Sequence, residues 1–290
     1  MSTDNPVETV REQGLDKFYT IPTYAKKCIA KVFELYRISA DDDLIVEPSA
    51  GNGSFLHQIP SENKIGLDIS PEHPDIIRQD FFDYHPHLNN NKRIIVIGNP
   101  PFGKISSLAI KFFNHAAQWA DVIAFIVPRT FRRISVQNKL NNMFHLVYDE
   151  ETPMKPCCFS PAMTVKCCFQ IWEKTKTGTT REKIDLPTTH SDWEFLAFGQ
   201  LDENGQPTPP LFADFAIRAY GGNIGEIRVE GLETLRPKSW HWIKTRIDKT
   251  ELIHRFSTLD YSNSQNTARQ NSMGRGELVR VYINKQAIIK

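Results

Sequence analysis

Apolar residues fall along this chain in two rhythms. In residues 22–37, PTYAKKCIAKVFELYR, the positions Ala25, Cys28, Ile29, Val32 and Tyr36 recur three and four apart, and Pro22 stands where a helix can begin. That period buries one face of a helix, so an amphipathic helix is predicted. The next run, DLIVEPSAGNGSF, reads as a short apolar strand closed by Glu47 and Pro48, then a glycine-rich turn and a helix near 55–59. KIGLDIS from Lys64 and IIRQDFF from Ile76 are two further short strands, each ending on or beside an aspartate. RIIVIGNPP from Arg93 is a fourth, and its unbroken apolar run predicts burial on both faces. Helical periodicity returns at 106–119, SSLAIKFFNHAAQW, and DVIAFIVP supplies a fifth strand. A helix over 132–143 and the strands HLVYDE and VKCCFQIWEK complete the series.

Strands alternating with helices predict a doubly wound, mostly parallel, Rossmann-like α/β sheet, whose ligands bind beyond the carboxyl ends of the strands. Glu47, Asp68, Asp80 and Asn99 all fall at such ends, so four strand tips point polar groups into one crevice. After Lys174 the chain turns polar and turn-rich, with TKTGTTREK and DENGQPTPP. A boundary is expected near residue 175, dividing 1–175 from a smaller α+β region over 176–290. Residues 1–13 are expected to be loose, and no internal repeat is visible.

Composition narrows the partners. At 290 residues, 40% hydrophobic and 24% charged, the chain can bury a full core, and its formal charge of +1 leaves any polyanion to a local patch. The start, MSTDNPVETVREQG, is polar and acidic where a secretory signal is basic and then apolar, and no run approaches the roughly 18 apolar residues of a membrane span. An intracellular location, cytoplasmic or nuclear, is expected, with no membrane partner. The five cysteines, Cys28 and the adjacent pairs Cys157–Cys158 and Cys167–Cys168, fit a reducing compartment. The pairs lack the two-residue gap that lets both sulfurs reach one metal, so no metal site is expected.

The chemistry sits at the strand tips. EPSAGNGSF alone is a turn that needs glycine anyway, but Asp68 at the next tip stands where such folds hold a ribose. Asp80 adds an acceptor for an adenine amino group, with Phe81 and Ile69 as apolar neighbours, and together these groups describe an adenosine pocket. IGNPPFG then follows the fourth strand. Prolines lock the backbone there. An exocyclic aromatic amine is a poor nucleophile because its lone pair is conjugated into the ring. Two fixed acceptors, the Asn99 side-chain oxygen and the Pro100 carbonyl, favour a tetrahedral nitrogen able to attack, and Phe102 stacks on the base.

NPPF after the fourth strand and EPSAGNGSF after the first resemble the S-adenosylmethionine-dependent amino-methyltransferases, especially the DNA N6-adenine methyltransferases. LDKFYTIPTYAKKCI resembles the cofactor motif those enzymes carry before the first strand, and the order of motifs is that of their gamma arrangement. The resemblance covers residues 15 to about 173. It implies S-adenosylmethionine as cofactor, with Tyr19, Thr20 and Pro22 at its methionine end and Glu47, Pro48, Gly51 and Gly53 around it. Asp68 would bind the ribose, and Asp80 and Phe81 the adenine, with Ile69 beside its ring. Asn99, Pro100 and Phe102 would hold the target base beside Pro101, with Phe159 of PCCFSPAM as a second aromatic. The methyl would pass in line from sulfur to nitrogen without a cysteine nucleophile. Two departures are a Glu for the usual Asp before Pro48 and an Ile between Thr20 and Pro22.

A base inside a duplex must be flipped out at a cost of a few kcal/mol, offset partly by stacking worth about 1–3 kcal/mol. The tail 236–290 is the candidate for the remaining contacts. Its eleven Lys and Arg, among them Arg269 and Arg275, against four Asp and Glu leave +7, interleaved with Trp240, Trp242 and Tyr261. NSQNTARQNSMGRG supplies amides and arginines for base edges. FAIRAYGGNIGEIR and KSWHWIK resemble, more loosely, recognition segments of phage-type adenine methyltransferases. DNA is the expected partner; a partner nuclease leaves no mark in the sequence. RNA adenine would suit the same chemistry. Protein-glutamine methyltransferases share N-P-P-aromatic but carry a helical amino-terminal module and lack such a tail, and a silent binding module would not need Asn99 and Phe102.

Overall fold

The computed structural model describes residues 18–86 and 92–289. They form two compact units, one made of the residues up to Phe131 with Val136–Lys183, the other of Arg132–Ser135 with the residues from Ile184. The expected loose segment 1–13, the first three residues of LDKFYTIPTYAKKCI and Lys290 lie outside the described residues.

The first unit is built on a seven-stranded sheet. In chain order its elements are β1 (Tyr19–Thr20), α1 (Pro22–Leu35), β2 (Asp43–Glu47), β3 (Lys64–Asp68), β4 (Ile77–Arg78), β5 (Arg93–Gly98), α2 (Ser107–Ala116), β6 (Val122–Pro128), α3 (Ile134–Gln137), β7 (Phe144–Glu151), β8 (Phe159–Ser160) and β9 (Cys167–Lys174). The sheet order is β4-β3-β2-β5-β6-β9-β7, and every pair from β4 to β6 is parallel. Strand β9 enters antiparallel to both β6 and β7. This is a Rossmann-like α/β fold.

The interiors of its central strands are apolar because both faces are covered. Ile94 and Val96 of β5 pack in a cluster with Phe112, Phe113 and Ala116 of α2. Their neighbours Ile95 and Ile97 point the other way, against Ala25, Cys28, Ile29 and Val32 of α1. The period of two in the strand thus meets the two helical stripes read from the sequence.

Two predicted helices are shorter than their patterns. Residues 56–58 make only a single 3-10 turn, which Pro60 prevents from continuing. The helix expected over 132–143 is reduced to α3, following a 3-10 turn at Arg129–Arg132. The two-residue pairing of β1 with β8, Tyr19 with Ser160 and Thr20 with Phe159, had no signal in the sequence.

The second unit is α+β. Strands β10 (Trp193–Phe195), β11 (Phe215–Arg218), β12 (Ile227–Arg228) and β13 (Trp240–Thr245) form an antiparallel sheet in the order β10-β13-β11-β12, with helices α4 (Lys249–Ser257) and α5 (Arg275–Ile289). Trp193, Phe215, Ile217 and Ile243 pack with Leu252, Phe256, Leu278 and Tyr282, while Ala216, Trp240 and Trp242 form a smaller cluster. The two tryptophans expected to interleave the basic residues are therefore core residues, because alternation along β13 turns Trp240 and Trp242 inward together. The charge segregation is local to the tail as well. Residues 184–290 carry thirteen Lys and Arg and thirteen Asp and Glu. Lys244 pairs with Asp214 at 2.9 Å, Arg246 with Glu194 at 3.2 Å and Arg255 with Asp192 at 3.0 Å.

Candidate active site

The end of β5 is the centre of the site. Asn99 follows Gly98, and its Nδ2 donates to the Phe18 carbonyl at 3.1 Å, which fixes the orientation of the amide. Its Oδ1 is buried and has no hydrogen-bond partner among the described residues. Leaving a buried acceptor unpaired costs about 1–3 kcal/mol, so a ligand donor is the natural partner for this atom. Ser49 Oγ donates to the Asn99 carbonyl at 3.2 Å. Phe18 and Ser49 thus position Asn99, a role no spacing in the sequence announced. Pro100 is buried and Pro101 exposed.

Phe102 is half-buried against the α1-side cluster, and its carbonyl accepts from Leu108 and Ala109 at the start of α2, at 3.2 and 3.3 Å. Beyond it, Ile105 and Ser106 both adopt left-handed backbone, with φ of 54° and 60°. Such conformations cost about 1–3 kcal/mol each and persist only when neighbours enforce them. Here Ser106 Oγ and Thr130 Oγ1 share a hydrogen bond at 2.6 Å, while the Ile105 side chain stands 78% exposed.

The cofactor-motif residues gather next to Asn99. Thr20 is buried, and its Oγ1 is a second polar atom with no partner among the described residues. The Tyr19 hydroxyl donates to the Glu72 carboxylate, and its ring lies against the turn at Gly51. A Cβ on Gly51 would meet that ring at 2.7 Å, and Gly51 has φ of +52°, so only glycine fits beneath Tyr19. At Gly53 the His57 ring occupies the corresponding space, 2.3 Å from an added Cβ. Asp68 holds the turn from the other side: Oδ2 accepts from Gly51 N and Oδ1 from Ser70 N, both at 2.8 Å. Each oxygen retains acceptor capacity for a hydroxyl. Pro48 is buried and Pro22 opens α1, whose entrance is pinned by Ile21 N donating to the Cys158 carbonyl at 2.9 Å.

Glu47 is fully buried and accepts from Leu56 N at 2.7 Å, so it organises the turn from inside. Burial raises its carboxyl well above the ordinary carboxylate range, the Leu56 N–H opposes that shift, and the negative charge of Asp68 adds to it. A raised folded-state value stabilises the fold fully below the unfolded value, and that contribution is lost as pH rises through the folded one. Glu47→Gln is therefore expected to flatten the pH dependence of the ligand-free protein. Between about pH 5 and about pH 8 the wild-type unfolding midpoint should fall more than the variant's. Equal midpoint shifts between the two pH values in wild type and variant, read by denaturant titration, would remove Glu47 as the cause.

The structure parts other predicted residues from the site. Ile69 is 53% exposed and Asp80 is exposed with Oδ1 accepting from Phe82 N at 2.9 Å, so both remain available to a ligand. Phe81 does not: it is 1% exposed and stacks on Phe112 at 5.1 Å, and its ring belongs to the core because the 3-10 turn after Asp80 directs it inward. Phe159 is likewise 4% exposed, packed in the α1-side cluster, so its ring offers no face to a base. Arg269 and Arg275 lie in the second unit. Arg269 is exposed without a partner among the described residues, whereas Arg275 donates to the Leu196 carbonyl at 3.3 Å and lies over Phe195 at 5.1 Å.

The five cysteines are free thiols, and burial pushes Cys158 up to about 11. One group among the described residues has metal-ligand types within reach of each other: His57, His73 and Asp75, beside Gly53, with ligand atoms within 4.8 Å. Among the described residues no helix is long and apolar enough to cross a membrane.

Sheet order and antiparallel β9 define this unit as Rossmann-like α/β. No protein-family model matches the chain, and no curated protein does. Among solved structures it is similar to a Pyrococcus horikoshii protein assigned as an RNA methyltransferase, with 16% identity, a TM-score of 0.41, and coverage of 56% of this chain and 88% of that one. An Escherichia coli protein assigned as a methyltransferase gives 11%, 0.32, 51% and 86% in the same order. Thermoplasma acidophilum 1320 gives 14%, 0.32, 54% and 98%. Likenesses this distant carry no argument about activity.

Proposed function

We propose that the first unit binds S-adenosylmethionine and transfers its methyl group to the exocyclic N6 of adenine in DNA. The observation that carries this reading is the buried, unpartnered Oδ1 of Asn99, held by Phe18 at the tip of a central strand. The residues fit the cofactor: Thr20 Oγ1 lacks a partner among the described residues, and Asp68, Ile69 and Asp80 offer acceptors and an apolar face. When bound, the cofactor supplies an electrophilic methyl on a sulfonium. Asn99 Oδ1 and the Pro100 carbonyl accept the two amine hydrogens of the base and turn its lone pair outward. They are positioned before substrate arrives, so no reorganisation is required at the moment of transfer. Phe102 covers the base, worth about 1–3 kcal/mol against the cost of flipping.

Labelled S-adenosylmethionine incubated with the purified protein and DNA is expected to place label in N6-methyladenine after hydrolysis. Label only in RNA or only in protein would overturn the substrate. Sequencing of methylated adenines in DNA from an expressing host locates the target site in the same experiment.

A further inference from the structure

Several cations in the second unit are matched by carboxylates, as with Lys244, Arg246 and Arg255 above. One recess gathers guanidiniums that outnumber its carboxylates. It measures about 350 Å³ and is lined by Arg218, Arg228, Arg236, Tyr220 and Gln270, with Glu226 as its one carboxylate. Arg218 bonds Glu226 at 3.1 Å and lies over the Trp240 ring at 4.8 Å, which assigns it to holding the wall. Arg228 shares that same Glu226 only at 3.7 Å and is 55% exposed. Arg236 is exposed and makes no ion pair or side-chain hydrogen bond among the described residues. Three guanidiniums against one carboxylate leave two positive charges uncompensated.

The remaining lining suits a nucleotide. Tyr220 is 46% exposed, held by its backbone pairing with Ser272 and by Gly221 N donating to the Asn271 carbonyl at 3.0 Å. The loop that makes those contacts also carries Gln270 at the recess and, one residue before, the unpartnered Arg269. The segments FAIRAYGGNIGEIR and KSWHWIK come together here through the β11–β12 and β11–β13 pairings. Planar guanidiniums take phosphate oxygens two at a time, and an exposed ring offers a stacking face to any base.

We propose that this recess is a DNA contact site, holding one backbone phosphate between Arg228 and Arg236 and the adjoining base against Tyr220, with Gln270 at the base edge. The proposal rests on the nucleic-acid reading of the chain and deepens it, by assigning the contacts that a catalytic unit alone does not supply.

The test uses the full chain and a fluorescent adenine-containing DNA duplex, titrated by anisotropy at several salt concentrations. Arg228→Ala with Arg236→Ala is expected to weaken binding roughly tenfold and to lower the salt slope by about one, as for one lost phosphate. Tyr220→Ala is expected to weaken it by roughly five- to hundredfold, the range of one lost stacking contact. Lys249→Ala, on α4 away from the recess, should bind as wild type. These side chains are exposed, so folding should be unchanged, and a circular dichroism melt verifies that. Wild-type affinity and salt slope in the double variant would overturn the recess. If the wild type also methylates DNA, the proposed activity survives that result. Variant-dependent binding without methyl transfer supports the recess and sinks the activity. Stronger variant-dependent binding of an RNA duplex, or competition by inorganic phosphate as strong per phosphate as by DNA, would overturn the DNA assignment.

Discussion

Asn99→Ala is expected to slow methyl transfer by about 10²–10³ or more while leaving S-adenosylmethionine binding within a few-fold of wild type. The substitution removes a buried acceptor that has no partner among the described residues, and with it the group that draws on the amine hydrogens. It also leaves the Phe18 carbonyl without its donor, a structural cost of about 1–3 kcal/mol that the fold can carry. Asn99→Asp makes the contrast sharper. It keeps an oxygen toward the site but sets a carboxylate oxygen against the Phe18 carbonyl, where a donor stood at 3.1 Å. Repulsion should displace the side chain and impair transfer despite the retained acceptor. Single-turnover methylation gives the rate and equilibrium dialysis with labelled cofactor gives the affinity. A fall in cofactor affinity that accounts for the whole loss of rate would move Asn99 from the amine to the cofactor.

Phe81→Ala should cost about 3–5 kcal/mol of stability, a large share of the roughly 5–15 kcal/mol that holds a domain folded. The ring stacks on Phe112 at 5.1 Å and meets His115 and Trp119 edge-on at 4.8 and 5.9 Å, in the cluster that joins α2 to the sheet. Removing it opens a cavity that stiff aromatic neighbours cannot close. Urea unfolding measures the loss directly. A change below about 1 kcal/mol, with weakened cofactor binding instead, would show that the ring faces the ligand. Asp80 next to it behaves differently, since its exposed carboxylate contributes little to the core.

These neighbours illustrate what a linear reading can resolve. Asp80 and Phe81 share a motif, yet one faces solvent and the other the core, because the backbone turns between them. Phe159 looked like a base-stacking ring for the same reason: an aromatic in a loop-like segment reads alike whether its strand partner buries it or not. The pairing of β8 with β1 decides the matter, and a two-residue pairing across some 140 positions has no periodicity to announce it. The basic tail shows the converse. Its charge excess is real along the chain, but antiparallel pairing brings Asp192, Glu194 and Asp214 from earlier segments against it.

By itself the sequence determined the seven strands of the large sheet and the two long helices of the first unit, the polar residues at the strand tips and the rigid NPPF turn, because periodicity and proline act through local backbone geometry. Tertiary structure alone decided which carbonyl orients Asn99, which rings are core and where arginines go unmatched. Those properties are set by partners distant in the chain, through burial and hydrogen bonding that exist only once the segments meet.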